Sequence, residues 1–495
     1  MRFSMTVVKR AAAAVSLAAT FAALLVVAGC GGGGGSSPAP GGGTGSGPTP
    51  TPVGTSTPST SPTTIPTTAP TSAPTLGPTA APLANALILP SGFYGETIAT
   101  GLSAPRQLVA LPNGDLLVGT NDHGGIVYIV PNADAAGAAG TPSVFLTIPS
   151  PAQQGTAQGI AVDGAHANVY VATNQSVWKV PYRSGDRTEP TPSVEVAKLR
   201  RGSVAPNSDG DIHYTSSAAV VGTTLYVGVG SSCNACVETD PTRGTIQQVD
   251  LGTLTQTTKA ARFRNALALA VNPATNTLWA GGAGQDGLLP MSGSIVLNVS
   301  DPRQGHPYEF FDPVTQHAGQ PDYGWPDCEE NSHVYNPLNK PNASCNSTTG
   351  AGTVVQPAVT FFAYSTVIGA TFYPPNQSGS YAFPLAYRGG AFISMHGSWH
   401  EDARGNPLSV PEIAYVPMTG DTPTTPVNWN DPTTQWQSFL YGFQDNLGNR
   451  IGRPVGLAVG PNGSLFIADD FAGAIYRIRP ATAPSAITRH PFRRR

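Results

Sequence analysis

The sequence predicts an all-β protein, a six-bladed β-propeller, and three observations carry that prediction. First, a short apolar strand, a turn and a second strand recur six times. The repeats begin near Leu108, Gly159, Ser217, Ala266, Gly369 and Gly456. Turn pairs such as Asn113-Gly114 and Asn462-Gly463 suit tight hairpins between the two strands. Second, the centres of the second strands, Leu117, Tyr170, Tyr226, Trp279, Phe392 and Phe466, are 53, 56, 53, 113 and 74 residues apart. A hairpin returning at about fifty residues is the signature of radially repeated sheets. Third, no long amphipathic helix competes, and Gly and Pro are spread throughout. The long fourth gap leaves room for a seventh blade. An insertion between the fourth and fifth repeats is the preferred reading, because residues 303 to 360 are rich in Pro and Asn and carry their own cysteine pair, Cys328 and Cys345.

Taken in order, the chain opens with a basic head (Arg2, Lys9, Arg10), an uncharged apolar run from Ala11 to Val27, and Val27-Ala28-Gly29-Cys30. This is the pattern of a secretory signal; an uncleaved membrane anchor is the competing reading. The cysteine after small residues resembles the lipobox of bacterial lipoproteins. That resemblance implies a signal over residues 1–30, lipidation of Cys30, and a membrane-anchored protein of the cell envelope, periplasmic or outer-membrane facing. Residues 31–85 are nearly all Gly, Ser, Thr, Pro and Ala, with no charge before Glu96. Such a segment buries too little apolar surface to offset the entropy of ordering, and reads as a tether.

Residues 86–480 form the predicted folded domain, long enough for a large core, and 481–495 a solvated basic tail. Removing the signal takes the net charge from −3 to −6, which argues against a nucleic-acid partner. Besides Cys30 there are four cysteines, in two local pairs. In an oxidising compartment they predict disulfides Cys233–Cys236 and Cys328–Cys345; a four-cysteine metal site is the alternative.

The repeat alignment also predicts a site. Just ahead of the first strand of each repeat stand Arg106-Gln107, Gln158, His213, Arg264-Asn265, Thr366 and Arg453. Inner strands line the channel of a propeller, so these polar groups should ring one mouth of it, the default place for a ligand. Three arginines offer planar forks for carboxylates, and His213 is the natural general base. Asp469-Asp470 and Asp122-His123 could hold a hard cation, but paired acids at strand ends read first as solvated turn residues.

The segments IHYTSSAAVVGTTLYVGVGSSCNAC, RNALALAVNP, YGWPDC, AFISMHGSWH and GRPVGLAVGPNGSLFIADD resemble the glucose/sorbosone dehydrogenase family, in the order the family carries them. The resemblance covers residues 102 to 478. It implies a propeller binding pyrroloquinoline quinone (PQQ), a tricarboxylate, with calcium assisting. It also implies a sugar or aldehyde substrate, hydride passing to the quinone, and a soluble or membrane electron acceptor. It makes His213 the catalytic base. Arg106, Gln158, Arg264, Asn265, Thr366, His396 and Arg453 are the cofactor-binding residues, and the metal ligands stay open. His396 stands where glucose-oxidising relatives carry lysine.

The chain also departs from relatives. Gly281-Gly282-Ala283-Gly284-Gln285 replaces most of a charged string, Gln158 stands for a histidine, and a second arginine is displaced to Arg450. Two other classes of function stay open: a non-catalytic surface propeller binding a carbohydrate or envelope partner, and a metal-dependent lactonase. The latter needs a carboxylate-rich channel, which this cationic ring does not supply.

Overall fold

The computed structural model describes residues 81–83, 86–122, 124–148, 156–190, 194–200, 213–285, 308–326, 328–329, 334–335, 354–398, 409–445 and 447–481. Six antiparallel sheets are arranged as blades. Blade one is Pro105–Ala110, Leu116–Thr120, Ile126–Val130 and Ser143–Thr147. Blade two is Gly159–Val162, Asn168–Ala172, Ser176–Pro181 and Val194–Lys198. Blade three is Ser216–Val221, Thr224–Val229, Thr245–Asp250 and Gln256–Ala260. Blade four is Ala266–Asn272, Thr277–Gly282, Glu309–Asp312 and Val359–Phe361. Blade five is Val367–Phe372, Ala391–Met395, Glu412–Val416 and Gln437–Leu440. Blade six is Pro454–Val459, Leu465–Asp469 and Ala474–Pro480, completed by the N-terminal strand Phe93–Ala99.

All six predicted second-strand centres lie in the second strand of their blade. The first strands touch one another in a closed ring around the axis. The repeat is built by the period of two. In the second strand of blade one, Leu116 and Val118 face the junction with blade six, while Leu117 faces blade two. Every junction has its own apolar cluster of this kind. A blade strand is therefore apolar on both faces, as strands buried between two layers must be.

The ring is closed by pairing Phe93–Ala99 with Ala474–Pro480, from Phe93 opposite Pro480 to Ala99 opposite Ile475. Ala81–Pro82 adds an edge to the same sheet, so ordered pairing begins inside the stretch read as tether. No seventh sheet of the ring occurs among the described residues. The extra length of the fourth repeat is accommodated within blade four, on both sides of its third strand. The stretch read as an insertion also supplies that blade's two outer strands. Between them a short ladder pairs Cys328–Glu329 with Val334–Tyr335.

The Cys233–Cys236 disulfide is formed. Cys345, Cys30, the signal, most of the tether and the basic tail lie outside the described residues.

Candidate active site

The predicted ring residues converge at one end of the inner strands. Arg106 is the second residue of its strand, and Gln158, Asn265, Thr366 and Arg453 each immediately precede theirs. His213 stands three residues before Ser216–Val221. Arg106, Gln158, His213, Arg264, Asn265, His396 and Arg453 are all buried. Below them runs a channel cavity of about 470 Å³, which Arg106 and Gln158 line directly. Leu267, Ile368 and Val455, each two residues further along the chain than Asn265, Thr366 and Arg453, form an apolar floor with Ala283. A polar rim thus stands over an apolar floor.

His213 is held in one tautomer. Its Nδ1 lies 2.8 Å from Ser231 Oγ and 3.2 Å from the Ser231 carbonyl. The carbonyl can only accept, and the Ser231 hydroxyl spends its proton on the Cys233 carbonyl, 2.7 Å away. Nδ1 therefore carries the proton, so that in the neutral imidazole Nε2 keeps the lone pair. Arg200, which the sequence reading missed, pins this segment from behind. Its guanidinium donates to the His213 carbonyl (3.0 Å), the Thr215 carbonyl (2.6 Å), Ser216 Oγ (2.7 Å) and the Asn174 carbonyl.

Beside it, Arg264 is clamped by Asn234: Nε donates to the Asn234 carbonyl (3.0 Å) and Nη2 to its Oδ1 (2.8 Å), while Nη1 reaches the Ala283 carbonyl (3.2 Å). Carbonyl partners hold a guanidinium in place without cancelling its charge. Glycine lets these pieces meet. A Cβ on Gly230 would lie 2.5 Å from His213 Cβ and 2.7 Å from Asn265 Oδ1, and one on Gly282 would lie 1.9 Å from the Asn265 carbonyl. Gly282, part of the stretch that replaces most of a charged string of the relatives, is thus a packing requirement of this fold.

The opposite side of the rim corrects one expectation. Of Asp469 and Asp470, read as solvated turn residues, Asp469 is buried and the Asp470 side chain is only 9% exposed. Asp470 takes Arg106 Nη2 at 2.8 Å and His396 Nε2 at 2.9 Å. Burial alone would raise its pKa, but Arg106, His396 and Arg453 outweigh that and hold the carboxyl below the usual range. Burial, with Arg453 beside it, lowers His396 to about 3. His396 is therefore neutral, with its proton on Nε2 facing Asp470. Asp469 accepts the Arg453 backbone N–H (2.9 Å) and the Tyr476 hydroxyl (2.9 Å). Arg453 donates to the carbonyls of His396 (3.1 Å) and Gly397 (3.2 Å), and Arg450 to that of Ser398. Thr366, a β-branched residue at φ +53°, accepts the His396 N–H at 3.0 Å. Backbone strain of that kind costs about 1–3 kcal/mol and clusters at functional sites. The Asp122 carboxylate caps its own turn through the Gly124 N–H (2.6 Å), while His123 lies outside the described residues.

The rim accordingly has two halves: Arg106, His396, Arg453 and Asp470 on blades one, five and six, and His213, Arg264 and Asn265 on blades three and four. Gln158 lies between them in the ring. Arg106 Nε, Gln158 Oε1 and Asn265 Oδ1 are buried without a hydrogen-bond partner. Such groups are costly unless a ligand completes them. The Arg106 donor and the three guanidinium groups, over an apolar floor, fit the carboxylates of a flat polycarboxylate such as PQQ, while the two amide oxygens call for N–H or O–H donors on the ligand. Among the described residues, the grouped side chains with metal-ligating atoms are Cys233, Cys236 and Glu238, whose sulfurs are already joined to each other.

The geometry defines a six-bladed propeller with a cationic, buried rim at one mouth of its channel. Residues 87–481 match the TrAA12-like family, one of PQQ-dependent sugar dehydrogenases, and the chain belongs to that family. Among solved structures it is similar to the holo form of the pyranose dehydrogenase PQQ domain from Coprinopsis cinerea. That match has 18% identity and TM-score 0.60, over 79% of this chain and 97% of the other. It is also similar to a Trichoderma reesei protein of carbohydrate-active enzyme family AA12, solved with calcium, at 21% identity and TM-score 0.58 over 82% and 99%. These likenesses establish the fold. An uncharacterized protein of Borreliella burgdorferi is 27% identical over 258 residues, which span 51% of this chain and 56% of that curated relative.

Proposed function

We propose that this protein oxidises an aldose or sugar-derived aldehyde, with PQQ held in the propeller mouth and His213 Nε2 as the general base. The observation that carries this reading is the Ser231–Cys233 relay, which leaves the lone pair of a buried rim histidine on Nε2. When bound, PQQ supplies a two-electron acceptor for the hydride. Arg106, Arg264 and Arg453 bind its carboxylates, with Asn265 and Gln158 completing the polar contacts. His213 takes the hydroxyl proton of the substrate, and Arg200 and Ser231 keep its ring in place. The apolar floor excludes water beneath the reacting groups, which strengthens each of these charge interactions. Calcium, present in the Trichoderma reesei structure, is proposed to bind together with the quinone.

The test is titration of the folded chain with PQQ and calcium by calorimetry, followed by dye reduction with a panel of aldoses and aldehydes. The proposal expects binding and turnover, with His213→Ala lowering kcat by roughly 10²–10⁴-fold while PQQ still binds. Absence of PQQ binding in the wild-type chain would overturn it. Binding without turnover on any sugar would favour a binding propeller at the cell surface. The further proposal, export and lipidation at Cys30, expects metabolic labelling with a fatty acid that Cys30→Ser abolishes.

A further inference from the structure

The segment from Ser231 to Cys236 touches both halves of the proposed chemistry. Ser231 Oγ sets the His213 tautomer and donates in turn to the Cys233 carbonyl. The Ser231 N–H donates to the Arg264 carbonyl at 2.8 Å. Asn234, three residues on from Ser231, clamps the Arg264 guanidinium through its carbonyl and its side chain. The same carbonyl accepts the Trp325 indole N–H at 3.0 Å. What holds Asn234 in that posture is a four-residue loop closed by the Cys233–Cys236 bond. The sequence here is a turn without regular structure, and the loop is only half-buried. A buried sheet would impose this geometry through its ladder. Here the covalent closure does so, by denying the loop its other conformations.

We infer that the Cys233–Cys236 disulfide is a redox-sensitive latch on the site: closed, it positions Arg264 for an anionic ligand and His213 for proton transfer; open, it releases both. Opening requires two electrons and two protons. A dithiol supplies them and leaves as its own disulfide, and Cys233 and Cys236 become thiols. The half-buried position gives such a reductant access to the sulfurs, as a labile disulfide requires. Asn234, Ser231 and the two cysteines act through other groups and are positioning residues. The effect on cofactor binding rests on the PQQ reading; the effect on the loop does not.

Two measurements separate these. The Trp325 contribution to intrinsic fluorescence, obtained as wild type minus Trp325→Phe, reports the loop with no cofactor present. A phosphine reductant, which takes oxygen from water as it opens the S–S bond, should shift that contribution in wild type and leave it unchanged in the Cys233→Ser/Cys236→Ser variant. For the site, the double variant should bind PQQ about tenfold more weakly than wild type, with an unchanged circular dichroism spectrum. Asn234→Ala should reproduce that loss, and Asn234→Asp, which keeps the acceptor for Arg264, should restore most of it. If wild type binds no PQQ but Trp325 still responds, the latch stands and the cofactor reading fails. If Trp325 emission is indifferent to reduction, or the double variant binds PQQ like wild type, the latch is refuted, whatever the fate of the proposed activity.

Discussion

Asp470 is the residue whose environment most changes the picture of the site. The Asp470 carboxylate, set between Arg106 and His396, keeps one guanidinium oriented and accepts the His396 Nε2 proton, while burial and Arg453 keep that histidine neutral. Asp470→Asn should destabilise the unliganded protein by about 3 kcal/mol, since it leaves Arg106 buried without its counter-charge. A polycarboxylate replaces that missing charge, so PQQ should raise the thermal midpoint of the variant more than that of wild type. Thermal unfolding with and without PQQ checks this. The pH dependence follows from His396, lowered from 6.5 to about 3. Between those values the unfolded chain takes up a proton that the folded chain refuses, so stability is lost as the pH falls. Asp470, also lowered, acts in the same direction below the range of an ordinary carboxylate. Each such group contributes a slope of at most about 1.4 kcal/mol per pH unit. Midpoints measured from pH 7 to pH 4 should therefore fall, and His396→Gln should flatten that limb. Arg200 offers a contrasting case. Arg200→Ala strands the carbonyls beneath His213 and should lower kcat with little change in PQQ affinity, a split that steady-state kinetics and calorimetry resolve together.

At the scale of the element, the inner strands meet through backbone. A Cβ on Gly456 would lie 1.9 Å from the Arg106 carbonyl of the next blade, and one on Gly369 would lie 1.9 Å from the Val455 carbonyl. These contacts set how closely adjacent blades approach the axis, and hence the width of the rim. Gly456→Ala should cost about 1–3 kcal/mol by overpacking. It should also weaken PQQ binding, because the residue displaced is Arg106. Denaturant unfolding and calorimetry on the same variant test both. Gln107 serves the same junctions differently. Its side chain donates to the Ala218 carbonyl (2.6 Å) and accepts the N–H groups of Ile160 and Ala218 (3.1 Å each), tying blade one to blades two and three.

The whole ring depends on its seam. Blade six is completed by a strand from the other end of the fold, and the seam carries a buried polar clasp besides its apolar cluster. Arg477 is paired with Glu96 and donates to the Ala133 carbonyl at 2.7 Å. Arg479 reaches Ser464 Oγ (2.7 Å) and the Ala135 carbonyl (2.6 Å), with Tyr381 stacked 3.5 Å from its guanidinium carbon. Asp134 accepts the Asn462 N–H at 2.6 Å. Arg477→Ala leaves Glu96 buried and unpaired, and should cost about 3–5 kcal/mol. Chemical denaturation should show the loss as a lower midpoint. A loss below about 1 kcal/mol would mean that the apolar cluster closes the ring unaided.

The sequence by itself determined the repeat, the blade order and the ring of polar residues ahead of the inner strands, because those depend on local periodicity and turn chemistry. Leu117, Tyr170, Tyr226, Trp279, Phe392 and Phe466 each hold the place their spacing assigned them. Only the tertiary structure decided which polar groups support that ring. Asp470 read as a solvated turn residue, and Arg200 and Asn234 carried no signal in the sequence. Each acquires its partner from another segment, at Arg106 for Asp470, at His213, 13 residues on, for Arg200, and at Arg264, 30 residues on, for Asn234. Local pattern records what a residue does for its own strand. The burial and pairing of a charge depend on chain closure, which brings blade six against blade one and has no signature in the neighbouring residues.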